Sequence, residues 1–263
     1  MRHLRQHQRL LIGLHPRRSF LLAAASVALV GCRAALPSSG AGAQPTTQPG
    51  SGSTAASASE RPLKTIQVWH DFTCPWCAIG LHNLHVALTQ LGHPKGAVAF
   101  EPYLLSPDTP PEGQDLRKHL GEKYGVAQVD SMFDRVKSVG AGYGVELRYD
   151  LIRIAPQTIP AHALVASVAT ELRWGLVEAI HAAYFQRGED IGSQTVLTAC
   201  AAAAGIDAAL VAAAFAPAAA AAIRQQAAGT RQLGIQGVPH FKIGGRALHG
   251  AQDPEALVAA LTA

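Results

Sequence analysis

Apolar positions follow two rhythms along this chain, one with the period of a strand and one with the period of a helix. Residues 66–69 (Ile-Gln-Val-Trp) are a β-branched and aromatic run that reads as a strand. Over 78–91 the apolar side chains fall at Leu81, Leu84, Leu88 and Leu91, the three- and four-residue spacing of a buried helix face. A second strand reads over 97–104 and ends in the proline-rich stretch 106–113. Helical spacing then runs from about Leu116 to Leu233, with breaks expected at Gly121/Gly125, 140–144, 155–160, 188–192 and Gly205. The alanine-rich portion, 199–222, keeps Leu197, Ile206, Leu210, Phe215 and Ile223 for a core-facing side, so ordinary packing is expected there. The strand pattern returns only over 237–243, followed by a Gly244-Gly245 hairpin turn and a return strand over 246–249. Asp253 is then expected to N-cap a last helix, with Pro254 at its first position and Leu257, Val258 and Leu261 facing inward.

The order is β-α-β, a helical stretch, then β-β-α. That is an α/β thioredoxin fold with a large all-helical insertion, about 114–234, between its two halves. The globular pattern covers 62–263, roughly 200 residues and enough for one substantial core.

The residues before it carry a different message. Arg2, Arg5, Arg9, Arg17 and Arg18 precede an apolar run over 20–30, with no acid among them. That run is about half the length a bilayer-spanning helix needs and suits a signal h-region. Arg17-Arg18-Ser19-Phe20-Leu21 resembles a twin-arginine export signal, and Leu29-Val30-Gly31-Cys32 resembles a bacterial lipobox with Cys32 as the lipidated residue. Residues 1–32 are therefore expected to be an export signal, and the domain to be lipid-anchored on the extracytoplasmic side of the cell envelope. Residues 33–61, rich in Ala, Ser, Gly, Thr and Pro, read as a flexible linker. Without the five arginines of the signal, the formal charge of +4 becomes −1. No basic patch survives to recruit nucleic acid.

Between the first strand and helix stands Cys74-Pro75-Trp76-Cys77. Pro75 falls just inside the helix, where its missing N–H costs nothing, so Cys74 is expected at the helix N-terminus. There the free N–H groups and the helix dipole favour a thiolate. A disulfide across so small a loop would stabilise the fold by only about 2 kcal/mol, which argues against a structural staple. The spacing also serves as half of a zinc site, but no second C-x-x-C or paired His follows, and redox chemistry is the better reading. Of the 4 cysteines, Cys200 then remains as an odd thiol in an apolar segment.

These residues resemble the DsbA-like thioredoxin superfamily, and within it the FrnE branch. The likeness rests on C-P-W-C-x-I-G, E-P-Y-L-L-S-P-D with P-P-E-G behind it, A-P-Q-T-x-x-A-H at 155–162, A-Y-F-x-x-G-E-D-I-G at 183–192, and G-V-P-H-F-x-I-x-G near the end. The resemblance implies that Cys74 is the attacking thiol, that Cys77 resolves the mixed disulfide, and that Val238-Pro239 is a cis-proline pair facing them. It implies a thiol–disulfide oxidoreductase acting on protein thiols or small dithiols. No cofactor beyond the Cys74–Cys77 disulfide is implied, glutathione being open as a co-substrate, and a redox partner remains to be identified. His240 stands where the family commonly has an aromatic, and Gln157 where it often has Asn.

A sister branch, 2-hydroxychromene-2-carboxylate isomerases and kappa-class glutathione transferases, has Ser at the first motif position and uses the thiol of glutathione. Cys at both 74 and 77 favours dithiol exchange over that alternative. A tethered metal binder built from His70, Cys74, Cys77 and His240 is the non-enzymatic alternative. Trp76, between the cysteines, is expected either to offer an apolar contact to unfolded substrate or to pack on the insertion. His240 is expected either to pack away from the sulfurs or to approach Cys74 and tune its pKa. His82, His85, His162 and His181 are expected on the surface or as satisfied core groups.

Overall fold

In the computed structural model, residues 64–93 and 98–263 are described. The expectations for 1–32, with Arg17, Arg18 and Cys32, and for 33–61 lie outside the described residues. Strand β1 (Ile66–His70) is central in a four-stranded sheet of order β2-β1-β5-β6. It pairs in parallel with β2 (Val98–Pro102) and antiparallel with β5 (His240–Ile243). Strand β6 (Arg246–His249) closes the hairpin on β5. Gly244 and Gly245 both have positive φ, 54° and 93°, as the tight turn between them requires.

Register sorts the side chains onto two faces. Val68, Phe100 and Phe241 stand in one row, and Trp69, Glu101, His240 and His249 in the next, which points the other way. The first face packs on α1 (Pro75–Gln90), whose Leu81, Leu84 and Leu88 are buried as the spacing predicted. Helix α9 (Pro254–Thr262) packs beside α1, its Leu257 and Leu261 buried. Asp253 has the extended backbone of an N-cap, yet its carboxylate does not cap: it accepts from the Tyr143 hydroxyl of the insertion instead.

The insertion is helical with one exception, a two-stranded ribbon of β3 (Gln114–Asp115) and β4 (Ile154–Ala155) that pins its start to its middle. Helices α2 (Leu116–Tyr124), α3 (Val129–Gly142), α4 (Ile159–Ser167), α5 (Thr170–Phe185), α6 (Gln194–Ala203), α7 (Ala208–Ala214) and α8 (Pro217–Gln232) follow. Gly121 does not break α2 as expected. It lets Val126 fold back against the helix, where a Cβ would lie 2.9 Å from the Val126 side chain. A break that the apolar rhythm did not predict falls at Ala216, whose extended backbone is what the following Pro217 imposes. The alanine-rich helices bury Leu197, Ile206 and Ile223, and Asp207 caps α7 by accepting from Ala209 N at 2.7 Å. Helix α8 crosses the second sheet face, where Gln226 Nε2 donates to Glu101 at 2.8 Å.

Candidate active site

Cys74 is the N-cap residue of α1, with extended backbone, and Pro75 is the first helical residue. Its carbonyl accepts from Cys77 N at 3.0 Å and Ala78 N at 3.2 Å, so the helix starts on it. Its sulfur takes no N–H from the first turn. It lies instead 3.7 Å from the Val238 carbonyl, to which the thiol donates. Val238–Pro239 is a cis peptide, and its loop meets the cysteine turn. Cys74 is 5% exposed and Cys77 0%, both as free thiols. Burial pushes the Cys77 thiol well up, with its hydrogen bond to Cys74 and negative charge there and on Asp71 adding to it. In the dithiol form Cys77 is thus held protonated by its burial.

Asp71 escaped the sequence analysis. Its carboxylate is buried and holds the turn before the cysteines, accepting from Thr73 N and Oγ1 at 3.2 Å each and from Leu105 N at 2.7 Å. Its carbonyl accepts from Cys74 N at 3.1 Å. Burial raises the Asp71 carboxyl pKa, against the pull of these hydrogen bonds. The available signal was local, an Asp two residues before a Thr at the end of a buried strand. Tyr149, stacked on Phe133 at 4.0 Å, was also missed; burial and charge on the Cys74 sulfur both raise its hydroxyl.

The other site residues divide by face. Trp76 is half-buried and packed against the core. His240 is 7% exposed on the opposite sheet face from α1, against Trp69 (ring centroids 5.3 Å apart) and His249 (4.6 Å). Burial first, then the charge of His249, lowers its pKa. Its register opposite Trp69 sends the His240 ring out on the sheet face away from α1. His70 points to the α1 face, against Phe72, Phe100 and His162. The set His70, Cys74, Cys77, His240 is thus split by the sheet. Among the described residues no group of three or more His, Cys, Asp or Glu side chains is arranged to hold a metal ion.

His162 and His181 correct a second expectation. Neither is a satisfied core group: both ring Nε2 atoms are buried without a hydrogen-bond partner among the described residues, as are both nitrogens of His70. Their rings gather round Phe72, with His70 to His162 at 5.1 Å and His70 to His181 at 6.2 Å. His82 is exposed, and His85 lies 2.9 Å from Glu178. Gln157 reaches the Thr109 carbonyl at 2.8 Å. Cys200 is buried on α6, donating to Ala179 O at 3.6 Å, and burial raises its pKa.

A four-stranded sheet in this order, with C-x-x-C at the start of α1 and a cis-proline loop opposite, defines a protein of the thioredoxin-like disulfide class. Within that class the chain belongs to the DSBA-like thioredoxin domain family, whose profile matches residues 65–262. Members of this family are thiol–disulfide oxidoreductases. The structure is similar to that of the probable DsbA oxidoreductase of Streptomyces coelicolor, with 29% identity and a TM-score of 0.66 over 76% of this chain and 88% of that one. It shares the fold of the cytosolic disulfide reductase DsbM of Pseudomonas aeruginosa, solved with GSH (18% identity, TM-score 0.54, 75% of this chain and 97% of that one). A 2-hydroxychromene-2-carboxylate isomerase shares it too (14%, 0.53, 75% and 94%). No curated protein matches the chain.

Proposed function

We propose that this protein is an exported, lipid-anchored thiol–disulfide oxidoreductase of the FrnE branch. It exchanges a Cys74–Cys77 disulfide with protein thiols or small dithiols through a mixed disulfide on Cys74. The observation that carries the reading is the position of Cys74, N-capping α1 with its sulfur 3.7 Å from the Val238 carbonyl. In the oxidising direction a substrate thiolate attacks the Cys74 sulfur. The S–S bond breaks, and Cys77 leaves as a thiolate and takes a proton. A second substrate thiolate then displaces Cys74 from the mixed disulfide, so the substrate gains a disulfide and the protein two thiols. The Val238 backbone beside the sulfur is suited to pair with an extended substrate segment. The test is dithiol oxidation by purified protein in the absence of glutathione. Cys74→Ser should abolish exchange, and Cys77→Ser should accumulate mixed disulfides. Turnover that requires glutathione, or trapping by Cys74→Ser instead, would overturn the reading.

Export and anchoring rest on the sequence motifs at Arg17-Arg18 and Cys32. Lysine at both arginine positions should leave precursor in the cytoplasm, and Cys32→Ala should release the domain from the membrane. More than one acyl chain is needed for stable attachment, so the wild-type chain should resist salt extraction. Mature, unlipidated, soluble protein in wild-type cells is the result that counts against this part.

A further inference from the structure

The two histidines of the β5–β6 hairpin are directly opposite in the antiparallel ladder, so their side chains leave the sheet together on the face away from α1. Their Nδ1 atoms converge to 3.1 Å, with ring planes 68° apart. A neutral imidazole has one bare nitrogen and one N–H. Two Nδ1 atoms at this separation either share one hydrogen bond or, with both protons on Nε2, turn two lone pairs toward one point. A first-row metal ion sits about 2.0–2.1 Å from imidazole nitrogen, and at that distance 3.1 Å corresponds to an N–metal–N angle of roughly 95–100°. That is the angle of two adjacent ligands on one ion, between square and tetrahedral.

We propose that His240 and His249 form a two-imidazole site for a divalent first-row transition metal ion, taken most tightly as Cu(II). Imidazole pairs bind Cu(II), Ni(II) and Zn(II), and affinity along the first row peaks at copper. The site is built on one side and open on the other. His240 is buried and held edge-on by the Trp69 indole, while His249 is exposed on the edge strand of the sheet. With no third His, Cys, Asp or Glu completing the group among the described residues, the remaining positions go to water or to an incoming ligand. The site is separate from the thiols, which lie across the sheet. It adjoins them through the backbone, because His240 follows Pro239 and Gly250, next to His249, donates to the Pro239 carbonyl at 2.8 Å.

The experiment is a Cu(II) titration of the full chain carrying Cys74→Ser and Cys77→Ser, which removes the C-x-x-C thiol pair that would reduce or capture the ion. The same chain with His249→Ala, and with His240→Phe, is titrated alongside. The parent should bind one more Cu(II) than either histidine variant, with quenching of tryptophan emission as Trp69 lies beside the ion. That step should be lost or weakened at least tenfold in both variants. His249 is exposed, so its replacement leaves the fold intact and separates ligand loss from misfolding. Equal stoichiometry and affinity in the parent and in either variant would overturn the site and leave the pair as a hydrogen bond.

Discussion

Asp71 does more for the site than its place in the loop announces. Three donors converge on its carboxylate and fix the turn that delivers Cys74. Asp71→Ala would leave the half-buried Leu105 N–H without this partner, at a cost of about 1 kcal/mol. Asp71→Asn keeps an acceptor but removes the negative charge that helps raise Cys77. Titrating the thiols of that variant by ultraviolet absorbance should show the Cys77 pKa lowered relative to wild type. An unchanged or higher value would mean that Asp71 acts on the turn alone. Cys200 should behave in the opposite way. It is buried on α6 against the Ala179 carbonyl, and Cys200→Ala should leave turnover unchanged with only a modest loss of stability. Loss of turnover in that variant would reveal a third redox thiol.

Among the elements, α1 has the narrowest tolerance, because it must start on Cys74 and still let the cis-proline loop approach. Gly80 makes the approach feasible. A Cβ there would lie 3.0 Å from Pro239 Cγ and 3.1 Å from Phe241 Cζ, both buried side chains. Gly80→Ala gains about 1 kcal/mol of helix propensity. Overpacking a closed core costs about 1–3 kcal/mol, and with Phe241 fully buried the second effect should win. The expected result is a lower denaturation midpoint together with slower disulfide exchange, since the displaced group is the loop beside the sulfur. A midpoint raised above wild type would show that the loop can yield. The Tyr143–Asp253 hydrogen bond joins α3's end to α9's start, and it pushes the Tyr143 hydroxyl up to about 12.

At the scale of the whole molecule, the sheet and the insertion meet over three histidines that the fold keeps uncharged. Burial is the first cause in each: His162 is held down to about 3, His181 to about 4 and His70 well below its usual value. An unfolded chain takes up these protons near pH 6.5, whereas the fold refuses them until far lower. Stability therefore falls as pH drops from 6.5 toward 4, by about 1.4 kcal/mol per pH unit for each proton, and the three contribute no slope above 6.5. Asp71 runs the other way, since its raised pKa lets the fold keep a proton that the unfolded chain has released. Three groups against one leave a net acid sensitivity. Urea midpoints should drop between pH 7 and pH 5, and His162→Leu should shrink that drop by removing one of the protons. An identical drop in the variant would mean the sensitivity arises elsewhere.

The order of elements was legible in the chain because each depends on near neighbours. The leucine spacing of α1, Pro75 and Pro254 at helix starts, and the Gly244-Gly245 turn are all set within a few residues. Cys74 and Cys77 were legible for the same reason, being three residues apart at one helix start. The short β3–β4 ribbon, the diversion of Asp253 from cap to Tyr143, the burial of His162 and His181, and the meeting of His240 with His249 were not. Each depends on which residues a distant segment brings opposite, or on what covers a face once the helices have packed. The pattern of one strand says that alternate side chains part, but only the paired register says which of them meet. In this chain it sends His70 and His240 to opposite faces and turns His240 toward His249 rather than toward the sulfurs.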